Sequence, residues 1–143
     1  MKLSPQWLRD FVDLPADNRR LAEALTAAGI AVESISGEGD ATLFEMEIGT
    51  NRPDAMNHYG AAREASAIYD RPLKPIEPQL PPPQGQTDFD IEIADKEGCA
   101  RYTARILRGV AIKPSPVHII ARLESVDQRS INNAADSTNY ERH

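Results

Sequence analysis

Apolar and polar residues alternate strictly from Phe44 to Ile48, within a predicted strand over Thr42–Ile48. Three apolar side chains share one face and two glutamates the other: Phe44, Met46 and Ile48 against Glu45 and Glu47. A period of two predicts a half-buried strand. A run rich in β-branched residues, Ile30–Ile35, precedes it and predicts a second strand. The polar, glycine-containing segment 37–40 separates the two, so we expect an antiparallel pair.

Helical spacing appears at three places in the first half of the chain. Ser4-Pro5 predicts a helix start, with Trp7 and Phe11 on one face and the end at residues 13–15. A second helix is expected to begin at Asp17 or Asn18, with Gly29 as its C-cap. Its buried stripe is predicted to be Leu21, Leu25 and Ala28. A third helix is predicted over 58–70, with Ala61, Ala65 and Ile68 buried.

A polar turn joins the alternating strand to the third helix, and its residues are Asn51, Arg52, Pro53 and Asp54. Pro53 fixes its own φ and disfavours the helical region for Arg52, so the strand must break there. We expect these four residues to form a structural turn, with Asp54 or Asn57 capping the next helix.

Proline dominates residues 72–83 and marks a boundary, because such a segment favours the extended polyproline II conformation. Beyond it, alternation predicts strands over 89–93 and 102–110. Pro116 is expected to start a helix that runs to Leu123, with Ser115 as its cap. Residues 131–140 are polar and poorly periodic, which indicates an interrupted domain. The predicted class is α+β: a helix/strand module at 1–71, a proline-rich linker at 72–86, and the incomplete start of a second α/β domain at 87–143.

Composition narrows the classes of function. The chain has 143 residues and a formal net charge of −6, and each half carries more acidic than basic side chains. A free-standing nucleic-acid binder usually has a cationic surplus, so RNA contact would need a local patch. The most basic cluster is Arg101, Arg105 and Arg108, which makes these residues candidates for phosphate contact or for a solvated strand face. We expect no contact with DNA.

Cys99 is the single cysteine, which fits a reducing compartment. The sequence has neither a signal peptide nor an apolar run that could span a membrane, so we expect a cytoplasmic protein without a membrane partner. It also lacks a glycine-rich phosphate loop, and its three histidines, His58, His118 and His143, do not stand at metal-ligand spacing. We therefore assign no catalytic, cofactor-binding or metal-binding residue.

Several separate motifs resemble the N-terminal region of the bacterial phenylalanyl-tRNA synthetase β subunit. In chain order they are residues 1–12 (MKLSPQWLRDFV), 25–33 (LTAAGIAVE), 50–54 (TNRPD) with 60–64 (GAARE), 99–105 (CARYTAR), 131–133 (INN) and 138–140 (TNY). The last three resemble the beginning of that family's editing domain. The resemblance implies an α subunit and phenylalanine tRNA as partners, with ATP and magnesium used by the full enzyme only.

Two departures from the family pattern limit what the resemblance implies. A tRNA-binding OB-fold is usually inserted before the strand that leads to the NRPD turn, and here only residues 36–41 fill that interval. The chain also stops at His143, before most of the family's editing residues. We expect a fragment or truncated form of the β subunit, a structural module that contacts tRNA or a subunit without catalysis of its own. A stand-alone binding paralogue is the alternative, and a small hydrolase of mischarged tRNA is a third hypothesis.

Overall fold

The computed structural model describes residues 1–82, 85 and 89–143. Parts of the predicted linker and of the predicted second domain lie outside the described residues, at Pro83, Gln84, Gln86, Thr87 and Asp88. The chain forms two units, one made of Met1–Ile76 with Ile112–His143 and the other of Glu77–Ala111. The domain bounds expected from sequence divide the chain differently and stay a prediction.

Across the described residues, three short strands and five helices make a mixed α+β fold, as predicted. The strands are β1 (Lys2–Leu3), β2 (Ala31–Ser36) and β3 (Leu43–Glu47). The helices are α1 (Pro5–Leu8), α2 (Asn18–Ala27), α3 (His58–Tyr69), α4 (Val117–Glu124) and α5 (Asn133–Arg142). Single 3₁₀ turns lie at Gly39–Ala41 and Pro53–Ala55. None of the helices in the described ranges has the length and apolar character that crossing a bilayer requires.

The sheet has the order β1-β3-β2 and is antiparallel throughout, which confirms the predicted pairing of β2 with β3. Val32 faces Met46 and Ile35 faces Phe44, while Glu33 falls at an irregularity in the register. An extra residue in one strand is a β-bulge, and it shifts the alternation of faces by one position. Val32 and Ile35 therefore lie on the same side of the sheet as Phe44 and Met46.

The core lies between this side of the sheet and helices α1, α2 and α3. Leu3, Leu8, Leu21, Leu25, Phe44, Ala61 and Ala65 are fully buried there. Asp17 caps α2, since its side chain accepts a hydrogen bond from the backbone N–H of Arg20, and Gly29 follows the helix with φ of 91°. The cap at Asp17 was predicted, whereas the C-cap is Ala28 and Gly29 is the residue after it. Ala28, predicted to lie in the buried stripe of α2, is exposed, because the helix ends there. Ile68 is the exception in the predicted stripe of α3, because 37% of it is exposed.

Helix α1 is much shorter than predicted, because it ends at Leu8 and not near residue 13. The next residues leave the helix to pair elsewhere: Val12 forms an isolated antiparallel bridge with Leu73, and the Phe11 carbonyl accepts the Lys74 N–H at 2.7 Å. Trp7 and Phe11 consequently do not share a face. Phe11 contacts Tyr59 edge to face instead.

The two strands predicted for residues 89–93 and 102–110 are wrong, because the structure assigns neither strand nor helix to the described residues of Glu77–Ala111. Alternation supplies one apolar face, but a strand also needs a neighbour for its backbone hydrogen bonds. The strands of the described residues pair with one another in a single sheet that includes neither segment. Phe89, Tyr102 and Leu107 are more than 60% exposed.

The last residues differ most from expectation. Residues 133–142, predicted to be irregular, form α5, and Asn132 caps this helix by accepting from the N–H groups of Ala134 and Ala135. The predicted capping of α4 by Ser115 is also wrong. Pro116 occupies the N-cap position without a side-chain bond, while the Ser115 hydroxyl donates to Asp136 at 2.5 Å.

Candidate functional site

The turn between β3 and α3 is closed by its own backbone and side chains. The Arg52 N–H donates to the Gly49 carbonyl at 2.8 Å, and Pro53–Ala55 then forms one 3₁₀ turn. Asn57, not Asp54, caps α3, since its Oδ1 accepts the Gly60 N–H at 2.7 Å. The remaining turn residues, Asn51 and Pro53, are exposed on the surface.

Arg52 is the charged centre of this turn. Its Nε and Nη2 donate to the two carboxylate oxygens of Asp54 at 3.1 and 2.9 Å, and Nη2 also lies 2.6 Å from Glu64 Oε1 on α3. A bidentate pair of this kind fixes direction as well as distance. The hydrogen bonds from Arg52 lower the pKa of Asp54, and this guanidinium is shared between two carboxylates. The turn is therefore fastened to α3.

We expect Asn57→Ala to lower the free energy of unfolding by about 1 kcal/mol, the usual cost of removing an N-cap side chain. Urea titration monitored by circular dichroism measures this change. Asp54→Ala serves as the comparison, because its ion pair is partly exposed and it caps nothing, so its effect should be smaller. A larger loss for Asp54→Ala than for Asn57→Ala would contradict the assignment of the cap.

A second group of residues joins the N-terminal segment to the last two helices, and we call it the Trp7 stack: Trp7, His58, Tyr140 and Arg122. The Trp7 ring is stacked with the ring of His58, at a centroid distance of 4.0 Å, and with the ring of Tyr140, at 5.1 Å. The Arg122 guanidinium lies 5.3 Å from the Trp7 ring centre and binds Asp10 and the Tyr140 hydroxyl. Residues 112–143 are thus held directly against residues 1–76.

His58 stacks on Trp7 and is 1% exposed. Its Nε2 accepts the backbone N–H of Ser4 at 3.0 Å, so the neutral ring carries its proton on Nδ1. Nδ1 lies 2.6 Å from the carbonyl oxygen of His143 and donates to it. Burial lowers the pKa of His58 to about 4. The imidazole is therefore neutral at pH 7 and links three segments of the chain.

Asp136 is the third polar centre and is fully buried on α5. Its carboxylate accepts hydrogen bonds from the Ser115 hydroxyl at 2.5 Å, the Ser130 hydroxyl at 2.6 Å and the Ile131 N–H at 2.8 Å. These bonds, that of Ser115 above all, lower the pKa of Asp136. The three hydrogen bonds stabilise the ionised carboxylate of Asp136, and they hold the segment before α5 in place.

The three arginines predicted to contact RNA lie in the other unit, and all are exposed. Arg105 Nη1 donates to the Pro81 carbonyl at 3.3 Å, and Arg108 also has an interaction within the protein. The predicted strand that would have placed these side chains on one face is not formed.

In the part of the chain that the structure describes, no group of three or more His, Cys, Asp or Glu side chains could hold a metal ion. The carboxylates that do come together fit magnesium poorly. Asp54 and Glu64 share the cation of Arg52, and Asp136 accepts from two hydroxyls and an amide.

Sequence reasoning missed the Trp7 stack and the Asp136 cluster. The sequence did contain an indication that His58 is buried, because residues 58, 61, 62 and 65 follow the helical spacing of a buried stripe. Nothing local predicts Tyr140, Arg122 or Asp136, since their partners lie far away in sequence or in irregular segments.

Comparison of the sequence with known proteins shows what this chain is similar to. A model of the B3/4 domain matches residues 98–142. A phenylalanine–tRNA ligase beta subunit from Thermotoga maritima is 46% identical over 98 residues, which cover 68% of this chain and 12% of that protein. A protein of the same name from Rhodopirellula baltica is 33% identical over 143 residues, covering 98% of this chain and 21% of its own length. The chain is related to the phenylalanine–tRNA ligase beta subunits.

A third beta subunit, from Bdellovibrio bacteriovorus, is 36% identical over 129 residues and shares 89% of this chain. The similarity to the Rhodopirellula baltica protein extends over nearly the whole chain. The chain spans about a fifth or less of the length of these three beta subunits, between 12% and 21%.

Proposed function

We propose that this chain is part of, or a truncated form of, a phenylalanine–tRNA ligase beta subunit and that it acts as a non-catalytic structural module. Its partners would be the ligase alpha subunit and phenylalanine tRNA, and its location the cytoplasm, where tRNA is charged. The observation that carries this proposal is the match of a named beta subunit over 98% of the chain.

The geometry supports a structural role. The most perturbed ionisable groups are all engaged inside the chain: Arg52 with Asp54 and Glu64, His58 with two backbone groups, and Asp136 with hydroxyls and an amide. Groups tuned for catalysis face a substrate cleft, whereas these fasten one segment to another. ATP and magnesium would be used elsewhere in the full ligase, since the grouped carboxylates here fit magnesium poorly.

Binding of the purified chain to tRNA tests the RNA part of the proposal. Because the net charge is −6, we expect weak binding at physiological salt, with a dissociation constant above about 10 μM that rises further as salt is added. Filter binding or fluorescence anisotropy with a phenylalanine tRNA transcript measures it. Replacing Arg101, Arg105 and Arg108 together by alanine should weaken binding several-fold.

The matched control replaces three exposed arginines of the other unit, Arg19, Arg20 and Arg63, because it removes the same charge from a different surface. If the two triple variants lose tRNA affinity equally, the proposed local contact at residues 101–108 is refuted. Co-purification with a ligase alpha subunit tests the second partner. Retention of neither the alpha subunit nor tRNA would contradict the proposed function and leave the stand-alone paralogue, whose partner would be a different protein.

A further inference from the structure

Residues 112–143 have contacts of their own that hold them together, and we call this segment the clasp. Helices α4 and α5 pack against each other. Asn133 at the start of α5 forms two hydrogen bonds with the backbone of Lys113, at 2.9 and 3.1 Å. The buried carboxylate of Asp136 adds the hydrogen bonds described above. Much of what stabilises the clasp therefore lies within it.

The core of residues 1–76 is formed without the clasp. Its cluster of buried apolar side chains draws every member from residues 3–65, and the partly buried side chains packed against it end at Leu73. Leu123 and Val126 of the clasp are buried, yet neither belongs to that cluster. Departure of the clasp would therefore leave this core closed.

The joint between the clasp and the first part of the unit is held by aromatic and polar contacts. Beside the Trp7 stack it includes two ion pairs, Lys2–Asp127 and Asp10–Arg122, and both are partly exposed. Exposed pairs contribute little to stability. The indole N–H of Trp7 is buried and has no hydrogen-bond acceptor among the described residues, which weakens the closed joint. The joint therefore depends strongly on the remaining buried contacts.

His58 makes those contacts, and they require a neutral ring. Its Nε2 accepts the Ser4 N–H, while its Nδ1 and its backbone N–H both donate to the His143 carbonyl oxygen, each at 2.6 Å. A second proton on the ring would sit on Nε2 and face the Ser4 N–H, and two donors cannot bond to each other. Protonation therefore removes one anchor of the joint and places a charge inside it.

The charged and titratable groups around the ring do not offset this conflict. Burial is the main cause of the low pKa of His58, and Arg122 on α4 and the His143 imidazole lower the pKa further. The hydrogen bond to the His143 carbonyl acts in the opposite direction and is outweighed. Tyr140 and Asp10 are both bound to Arg122, and α1 presents only an uncharged indole. A positive ring is therefore more stable where water surrounds it.

We propose that residues 112–143 are a clasp released by acid: protonation of His58 opens the joint at the Trp7 stack, while the core of residues 1–76 stays folded. The open state binds the proton more tightly than the closed state, so each step in pH below 6.5 shifts the equilibrium toward opening. The proposal does not depend on the role of the chain in a ligase.

Trp7 reports the state of the joint, because it is the only tryptophan of the chain. When the 143-residue protein is brought from pH 7 toward pH 4, we expect the emission maximum of Trp7 to move to longer wavelength as its ring gains contact with water. Hydrogen exchange at the same pH locates the change. The amides of α4 and α5 should lose protection, and those of β3 should keep it.

Two variants separate the role of the ring from general acid unfolding. His58→Gln removes the titration and leaves every carboxylate in place, so the emission of Trp7 should stay unchanged down to pH 4. Tyr140→Ala weakens the joint without touching His58. It should raise the midpoint of the emission change by about one pH unit, since an aromatic pair contributes about as much free energy as one unit of pKa.

Tyr102→Ala is the matched control, because it removes an exposed tyrosine of the other unit and should leave the midpoint unchanged. If His58→Gln is already open at pH 7, the comparison of the two tyrosine variants decides the matter. Equal midpoints for these two variants would overturn the proposal. So would an emission change that persists in a closed His58→Gln, its absence in the wild type at pH 4, or loss of β3 protection together with that of α5.

Discussion

Acidification is expected to weaken the fold by about 3 kcal/mol between pH 6.5 and pH 4, through protonation of His58. In the unfolded chain this imidazole has its ordinary pKa of 6.5, and in the fold burial lowers the pKa to about 4. The unfolded state therefore binds more protons throughout this interval, so stability falls as the pH falls. The contribution is fully present above pH 6.5 and absent below pH 4.

The hydrogen bonds of the His58 ring explain why its protonation weakens the fold. A protonated imidazole carries a proton on Nε2, which would point at the Ser4 N–H, a second donor. The charged ring would also lie near the Arg122 guanidinium, which lowers its pKa further. The carboxylates with lowered pKa values, Asp54 and Asp136, lose their stabilising charge only below 3.8, outside this interval.

Urea titrations at several pH values across the interval measure the effect. His58→Gln should remove most of the dependence of the unfolding free energy on pH. A smaller dependence should remain from His143, because burial also lowers the pKa of that histidine. His118→Gln is the control, because this histidine is exposed on α4 and should keep the slope. A wild-type stability that does not change between pH 6.5 and pH 4 would contradict the role of His58.

Gly60→Ala is expected to destabilise the fold by about 3 kcal/mol, at the upper end for overpacking. A Cβ atom at this position would lie 1.9 Å from the Asp54 carbonyl oxygen and 3.0 Å from the Ala55 Cα, and both are backbone atoms. Alanine usually favours a helix over glycine by about 1 kcal/mol, so the clash must exceed that gain. The turn would have to move away from α3, which strains the Arg52–Glu64 pair.

Gly98→Ala is the matched control for this variant. The added Cβ would lie 2.5 Å from Asp95 Oδ2, a side-chain atom, and moving this carboxylate would break only its exposed hydrogen bonds from the N–H groups of Glu97 and Gly98. Thermal and urea unfolding of both variants should therefore separate a backbone clash from a side-chain clash. Equal stabilities for Gly60→Ala and the wild type would show that the turn does not need its close approach to α3.

Local sequence patterns predicted much of the first half of the fold. The alternation of 42–48, the cap at Asp17 and the break at Pro53 depend on neighbours within a few residues, and all three are observed in the structure. Helix α1 was overestimated because Phe11 and Val12 pair with residues 73 and 74, sixty positions later. Long-range pairing of this kind outweighs local helical spacing.

The second half was predicted less well, for the same physical reason. Alternation at 102–110 indicates a strand only when a neighbouring strand is present to pair with it, and α5 has little apolar periodicity of its own. That helix is held by the contact of Tyr140 with Trp7 and by the hydrogen bonds of Asp136 with Ser115 and Ser130, and the first two of these partners lie outside the helix and its preceding loop. The turn at 51–54 was found because proline acts locally, whereas the role of His58 depends on what surrounds it.

Both ends of the segment Glu77–Ala111 join the same unit, because residues 1–76 and 112–143 pack together. The Trp7 stack and the pairs Arg122–Asp10 and Lys2–Asp127 hold these two parts in place. The entropic penalty of closing a flexible loop grows slowly, by about 0.6 kcal/mol for each doubling of its length. A change in the length of chain between residues 76 and 112 should therefore alter the free energy of unfolding of the unit that it leaves and rejoins only slightly, so the fold permits variation in length at this point.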